Sequence, residues 1–237
     1  MTAGQPARLV VLISGRGSNF AALRSAIERG EVNARIATVI SDRPQAAGLA
    51  LARKHHIDSV CIDRQRCRDR DTFETALATA IDGHAPDFIV LAGFMRVLGD
   101  AFVERYPGRM VNIHPSLLPR HRGLNTHQRA LDAGDRDHGA SVHFVTPKLD
   151  SGPVISQARL EIQPDDTAET LADRLLKLEH QLLPATMALL SDQQVQWRDE
   201  TIQINNQVLT EPLLLGRNLG PGGQLDDRRD DRRDNRR

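Results

Sequence analysis

The amino-acid sequence predicts an α/β fold: an open, mostly parallel, doubly wound sheet with helices on both faces. Short apolar runs alternate with helical patterns through the first half of the chain, and several of these runs are apolar at nearly every position. Near-continuous apolar runs are typical of strands that are buried on both faces. Strands that alternate with helices indicate βαβ units with right-handed crossovers, and such sheets bind ligands at the carboxyl ends of their strands.

The individual elements follow from the same periodicities. The first strand is predicted at residues 8–14 (RLVVLIS), and the helix behind it runs from Ser18 to Arg29 and ends at Gly30. In chain order, the further predictions are strands at 34–40, 58–62, 87–93 and 109–114, helices at about 44–55, 70–82, 125–133 and 167–190, extended segments at 139–146 and 152–162, and short terminal strands at 195–198 and 201–209.

Composition restricts the class of protein. A chain of 237 residues can bury a core without disulfides or metal, and 40% hydrophobic with 26% charged residues is ordinary for a soluble globular protein. An aromatic share of 3% and a formal net charge of zero argue against nucleic-acid and membrane partners. Cys61 and Cys67 form no CxxC pattern, and the amino terminus resembles neither a signal peptide nor a membrane span. We therefore expect a cytoplasmic protein with free thiols.

The turn after the first strand, ISGRGSNF, is a candidate anion site. Gly15 and Gly17 allow a tight turn, and Ser18 can cap the following helix, whose first N–H groups and dipole attract an anion. The stretch matches only part of GxGxxG because Phe20 replaces the third glycine, although Asp42 after the second strand is compatible with a dinucleotide. The small polar helix start favours a single phosphate, and a capped turn without a ligand is the alternative.

A second candidate site lies at the carboxyl end of the strand 109–114. Asn112 and His114 are two residues apart, so their side chains point to the same face, and Pro115 stiffens the loop behind them. Alone, such a pair can simply be a satisfied core pair, and Asp150 in KLDSGPVI can simply form a turn. Together they offer an amide for an oxyanion, an imidazole as acid or base, and a carboxylate that orients and charges the imidazole.

The long helix at 167–190 contains one acidic residue on its apolar side. Glu179 falls within the apolar arc at 100° per residue and is expected to face inward, where a carboxylate needs a partner. A ligand group and a buried salt bridge are the two open alternatives. The stripe itself is formed by leucines, namely Leu171, Leu175, Leu178 and Leu182, extended sideways by Leu176 and Leu183.

From about Arg8 to about Val208, the chain resembles the phosphoribosylglycinamide formyltransferase family, the folate-dependent transformylases of purine synthesis. The resemblance rests on VLISGRGSN, LAGFMRVL, VNIHPSLLP, HGASVHFVT, LDSGPVI and LEHQLLP, which occur in family order. It implies a Rossmann-like formyltransferase fold and formyl transfer from 10-formyltetrahydrofolate to the amine of glycinamide ribonucleotide, without a metal. Asn112, His114 and Asp150 would form the catalytic trio.

The resemblance also implies the binding residues. Gly17, Ser18 and Asn19 would cradle the phosphate of the ribonucleotide, and Glu179 would hold its ribose or glycine end. Asn125 departs from the pattern, since we expect a histidine there in many family members. The residues implied to contact the folate are Arg70, Met95, Arg96, Val97, Leu98 and Asn112.

Three other functions share some of these sequence features. Formyltetrahydrofolate deformylase would use the same trio with water as the nucleophile, but it normally carries a regulatory domain before the catalytic one. Methionyl-tRNA formyltransferase would need a further basic RNA-binding domain. A noncatalytic or dehydrogenase-like nucleotide-binding module is supported only by the glycine-rich turn.

The domain organisation follows from the same resemblance. We expect one catalytic domain over residues 1–210, with a nucleotide-binding half at about 1–100 and a catalytic and folate half at about 101–210. Residues 211–237 form a tail, and from Asp226 onward its six Arg and five Asp without any apolar residue predict disorder. The expected partners are small-molecule substrates only, and the chain is expected to be a monomer or a homodimer.

Overall fold

The computed structural model describes residues 5–198 and 201–226. Most of the element bounds agree with the predicted ones to within a few residues. In chain order the elements are β1 (Ala7–Ile13), α1 (Ser18–Glu28), β2 (Ala34–Ser41), α2 (Ala47–Lys54), β3 (Ser59–Cys61), a 3₁₀ turn (Arg64–Arg66), α3 (Arg70–Asp82), β4 (Phe88–Leu91), α4 (Asp100–Glu104), β5 (Met110–His114), α5 (Thr126–Asp132), β6 (Asp137–Phe144), β7 (Val154–Glu161), α6 (Ala168–Ser191), β8 (Val195–Arg198), β9 (Thr201–Ile204), β10 (Gln207–Val208) and β11 (Leu213–Leu214).

The central sheet has eight strands in the order β11-β7-β6-β5-β4-β1-β2-β3. Strands β3, β2, β1, β4 and β5 pair in parallel, and β11 pairs in parallel with β7. Strand β6 runs antiparallel to both of its neighbours, β5 and β7, so it alone is reversed in this sheet. The predicted open, mostly parallel sheet is therefore confirmed.

Both faces of the sheet are covered because successive residues of β1 point to opposite sides. Leu9, Val11 and Ile13 join the hydrophobic cluster that contains residues of α1 and α6. Val10 and Leu12 join the cluster on the other face, which contains residues of α3 and α4. All five side chains are fully buried, which explains why the strand reads as a continuous apolar run, and the predicted doubly wound arrangement is confirmed.

Three short elements were not predicted, and one predicted strand was wrong. The short helix α4, the 3₁₀ turn and β11 have too few residues to show a periodicity. The segment predicted as one strand at 201–209 is instead a hairpin, because Asn205 and Asn206 both adopt positive φ (48° and 66°) between β9 and β10. A two-residue turn with both residues in this region is the type I′ geometry that favours asparagine. These strands form a separate antiparallel sheet, β10-β9-β8.

Within the described ranges 5–198 and 201–226, no helix is long and apolar enough to cross a membrane. The tail predicted to be disordered lies, from residue 227 onward, outside the described residues. The division of the domain into a nucleotide-binding half and a folate half stays a prediction.

The turn between β6 and β7 carries Asp150 and is closed by a tight glycine contact. A Cβ added at Gly152 would lie 1.8 Å from the backbone oxygen of Phe144. We therefore expect Gly152→Ala to reduce the free energy of unfolding by about 1–3 kcal/mol or more, as overpacking does elsewhere. Urea unfolding measures the change. Gly83→Ala is the matched control, since its Cβ would meet no atom closer than 3.5 Å; equal stabilities of the two variants would contradict the prediction.

Candidate active site

The turn between β1 and α1 leaves the helix start uncapped by a side chain. The N-cap is Gly17, at φ 75° and ψ 31°, and no side chain caps the helix there. The prediction that Ser18 caps the helix is therefore wrong, and Ser18 is the first helical residue. Gly17 suits the position because its φ is left-handed and a Cβ would lie 3.0 Å from the Cα of Gly48. The first N–H groups of α1 remain available to an anion.

This turn opens onto a cavity of about 400 Å³, which we call the turn cavity. Glu179 lines this cavity together with Gly17, Ser18 and Asn19, the three residues implied to hold a phosphate. The lining also includes two cations that sequence reasoning missed, Arg16 and Arg43, the first within the turn and the second just after β2. The cavity is lined by, among others, Arg16, Gly17, Ser18, Asn19, Arg43, Met95, Pro115, His127 and Glu179.

Glu179 faces inward, as its helical spacing predicts, and is only 9% exposed. Its carboxylate Oε2 accepts a hydrogen bond from Asn19 Nδ2 at 2.7 Å, so its partner is an amide rather than the cation of a buried salt bridge. Burial raises the pKa of Glu179, while the hydrogen bond from Asn19 acts in the opposite direction. Asn19 Oδ1 is also buried and has no hydrogen-bond partner, so the pair leaves an acceptor for a ligand.

The structure brings the catalytic candidates of β5 together with Asp150. His114 Nδ1 lies 3.5 Å from Asp150 Oδ2, and both side chains are less than 10% exposed. Asp150 adopts φ +46° in the β6–β7 turn, and its Oδ2 accepts from Gly123 N at 2.8 Å. His114 Nε2 is 3.0 Å from the backbone oxygen of His121, to which it must donate. Asp150 therefore acts on the ring by charge, and the His121 carbonyl supplies a hydrogen bond that orients it.

His143 completes the group, and sequence reasoning did not single it out. It lies opposite Asn112 in the β5–β6 register, with Asn112 Nδ2 3.1 Å from His143 Nε2. His143 Nδ1 lies 2.8 Å from the backbone oxygen of Phe144, so this nitrogen carries the proton and Nε2 accepts from the amide. Burial lowers the pKa of His143, which keeps the ring neutral. The histidine stands in the family segment HGASVHFVT, but only the antiparallel pairing reveals its neighbour.

The residues implied to bind folate divide between two places. A smaller cavity of about 80 Å³, the loop cavity, lies beside the loop between β4 and α4. Met95, which is 55% exposed, lines the turn cavity instead. Arg70 lines neither cavity; its Nη2 donates to the backbone oxygen of Val97 at 3.1 Å and so holds the loop from outside. The loop cavity is lined by, among others, Arg96, Val97, Leu98, Asn112, His143 and Asp150.

Asp42 and Asn125, which the sequence analysis also singled out, both have contacts or conformations that support the fold. Asp42 has a fully buried side chain, and its Oδ2 accepts from Arg96 Nε at 2.6 Å. One oxygen is therefore held by an arginine that lines the loop cavity, while the other, Oδ1, is buried without a hydrogen-bond partner. The compatibility of Asp42 with a nucleotide stays a prediction. Asn125 is the N-cap of α5 at φ 57°, a left-handed conformation that asparagine tolerates well.

The arrangement suits an acyl transfer that passes through an oxyanion. Asn112 supplies amide N–H groups, one of which remains after its bond to His143. Both ring nitrogens of His114 face acceptors, so the protonated ring satisfies both. Because Nε2 donates to the backbone, Nδ1 is the nitrogen that faces Asp150. Such preorganised donors stabilise a tetrahedral intermediate.

The buried Glu179 predicts a pH-dependent stability. Burial raises its folded-state pKa above the unfolded value of 4.5, so its contribution is complete below that value and is lost as pH rises through the raised pKa. Glu179→Gln should therefore unfold at a higher temperature than the wild type at pH 7.5 and gain nothing at pH 4. Thermal unfolding at several pH values measures this. Exposed Glu104→Gln is the matched control, and a gain independent of pH would contradict the assignment.

Comparisons with known proteins agree with this geometry. The formyl transferase family matches residues 7–187. Phosphoribosylglycinamide formyltransferase of Escherichia coli (strain K12) is 40% identical over 201 residues, which is 85% of this chain and 95% of that protein. The phosphoribosylglycinamide formyltransferase structure from Coxiella burnetii superposes with a TM-score of 0.85 at 45% identity, covering 89% of this chain and all of that one.

A more distant structure shares the fold. A formyltetrahydrofolate deformylase from Pseudomonas syringae pv. tomato superposes with a TM-score of 0.78 at 25% identity, covering 85% of this chain and 66% of that one. The family match and the near full-length relatives both point to the same group of enzymes. The chain belongs to the formyl transferase family.

Proposed function

We propose that this protein transfers the formyl group of 10-formyltetrahydrofolate to the primary amine of glycinamide ribonucleotide, within purine synthesis. The observation that carries the proposal is that residues on either side of His114 in the chain line the two cavities. Asn112 lines the loop cavity and Pro115 lines the turn cavity, and His114 stands between them on the same stretch of chain. A formyl donor in one cavity and an amine acceptor in the other would meet at this ring.

The proposed reaction begins when the neutral amine attacks the formyl carbon, which forms a C–N bond and a tetrahedral oxyanion. The Asn112 amide N–H and His114 Nδ1–H donate to that oxygen, and the nearby charge of Asp150 stabilises the protonated ring. The bond from the formyl carbon to N10 of the folate then breaks. The proton lost by the attacking amine passes to N10, with the His114–Asp150 pair or a water as carrier, and tetrahydrofolate leaves.

The ribonucleotide would occupy the turn cavity. Its phosphate would lie at the start of α1 against Gly17, Ser18 and Asn19, and the cations Arg16 and Arg43 would neutralise it from the side. Glu179, which lies beside Asn19, would accept hydrogen bonds from the ribose or the glycine end.

One end of the folate would enter the loop cavity, whose volume of about 80 Å³ holds only part of such a molecule. Arg96, Val97, Leu98 and Asn112 line it, while Met95 would extend contacts toward the turn cavity and Arg70 would act through the loop that it holds. Hydrolysis of the same donor would need only this cavity and water. The cationic turn cavity is therefore the feature that favours transfer over deformylation.

Compartment and assembly belong to the same proposal. Cys61 and Cys67 are both free thiols, which is consistent with a reducing compartment such as the cytoplasm. We propose that the partners are the two small substrates and that the chain acts as a monomer or a homodimer.

The direct test is an assay with 10-formyltetrahydrofolate, with and without glycinamide ribonucleotide. We expect release of tetrahydrofolate only when the ribonucleotide is present. Release at the same rate without it would identify a hydrolase, and no release in either case would reject the proposed chemistry.

Replacing Asp150 tests the catalytic trio. Asp150→Asn removes the charge beside His114 but keeps a residue that tolerates φ +46° and an oxygen that can accept from Gly123. We expect turnover to fall about 10²–10³-fold, with the Michaelis constant for the folate nearly unchanged. Asp58→Asn, an exposed change just before β3, is the control. Turnover of Asp150→Asn near the wild-type value would reduce this residue to a turn former.

Replacing Arg43 tests the phosphate site. Its side chain is half exposed and its nearest ion-pair distance, to Asp42, is 3.9 Å, so Arg43→Gln should leave the fold intact. Loss of one charge-assisted contact should raise the Michaelis constant for the ribonucleotide about tenfold or more, while turnover and the constant for the folate stay the same. Arg53→Gln, on α2, is the matched control. An equal effect of both variants would speak for a general charge effect.

A further inference from the structure

The loop between β5 and α5, residues 115–125, supports two members of the catalytic trio through its backbone. The carbonyl of His121 accepts from His114 Nε2 at 3.0 Å, and Gly123 N donates to Asp150 Oδ2 at 2.8 Å. A shift of this loop would therefore change the orientation of the imidazole and of the carboxylate together. Apart from Pro115, which lines the turn cavity, the function proposed above assigns no role to the side chains of this loop.

One side chain of the loop is tied to a buried carboxylate. His121 Nε2 donates to Asp135 Oδ2 at 2.7 Å, and the two side chains are 13% and 4% exposed. The other oxygen, Asp135 Oδ1, accepts from Arg120 Nη2 at 2.5 Å. Asp135 is the third residue after α5, and its own backbone N donates to Ala130 O at 3.1 Å. The carboxylate is thus fixed to the end of α5, and it holds the loop through His121.

The backbone of His121 needs such support. Its φ is +50°, a left-handed conformation that costs energy for any residue with a Cβ and persists only where the surroundings impose it. The residue held in this conformation is the same one whose carbonyl reaches His114 Nε2. Release of its ring would allow its peptide group to relax and would move the carbonyl.

We propose that His121 and Asp135 are positioning residues for formyl transfer. Their hydrogen bond fixes the His121 carbonyl, the carbonyl holds the proton of His114 on Nε2, and this leaves Nδ1 to face Asp150 and the reacting oxygen. The inference rests on the proposed function for its kinetic consequence, but the tautomer of His114 can be observed without any substrate.

The test compares three variants with the wild type. Asp135→Ala removes the acceptor, whereas Asp135→Asn keeps an oxygen that can accept from His121. His121→Asn cannot reach Asp135 as the imidazole does, yet it tolerates a positive φ, so it keeps the test valid if Asp135→Ala does not fold. Arg120→Ala is the matched control, because it removes the other partner of Asp135 and leaves the bond to His121.

We expect turnover to fall at least tenfold in Asp135→Ala and His121→Asn, with both Michaelis constants unchanged. Asp135→Asn should recover most of the turnover, and Arg120→Ala should match the wild type. Two-bond ¹H–¹⁵N NMR of the imidazoles, without substrate and at a pH where the rings are neutral, should show the His114 proton on Nε2 in the wild type and a mixture of tautomers in the two impaired variants.

Wild-type turnover together with an unchanged His114 tautomer in folded Asp135→Ala or His121→Asn would overturn the inference. A loss of turnover that Asp135→Asn fails to recover, or that Arg120→Ala reproduces, would also overturn it, because the effect would then be one of general stability. A wild-type protein without transfer activity whose variants still change the tautomer would reject the proposed function and leave the positioning contact supported.

Discussion

The antiparallel pairing of β6 with β5 is the constraint on which the rest of the active site depends. In a purely parallel sheet, the neighbour of β5 would end at the same edge of the sheet as β5 and would be joined to it by a crossover helix. The reversed strand instead places His143 opposite Asn112 and then turns back at Asp150, within 3.5 Å of His114. An amide, two imidazoles and a carboxylate from separate parts of the sequence therefore meet at one point, because one strand is reversed.

The substrate side of the site depends on a second long-range contact. The hydrogen bond between Asn19 and Glu179 joins the start of α1 to the middle of α6, 160 residues apart, and closes the inner wall of the turn cavity. Burying a carboxylate against an amide, without a cation, disfavours its charged form. A buried carboxylate at this position stabilises the fold less than a leucine would. This is consistent with a carboxylate that serves a ligand rather than the fold.

The sequence predicted the sheet and its helices because buried parallel strands are apolar throughout. It also predicted that the candidate catalytic residues lie at the carboxyl ends of the strands. Local chemistry was harder to infer. Ser18 resembled a cap, yet the left-handed Gly17 occupies that position, and the hydrogen bond from Arg96 to Asp42 could not be read from either segment alone. These depend on contacts between distant segments, which a periodicity does not encode. His143 was missed for the same reason, since its role is visible only in the register of β5 with β6.

The histidines around the site differ in charge because they differ in their partners. Burial lowers the pKa of His127 and His143, and it lowers that of His138 to about 4, while the charge of His114 acts on all three in the same direction. Three neutral rings therefore surround His114, whose two nitrogens both face acceptors, one of them Asp150. The Asp150 carboxylate lies 3.5 Å from His114 Nδ1, so the acidic group of the site stands beside the imidazole on β5, while burial keeps the three neighbouring rings uncharged.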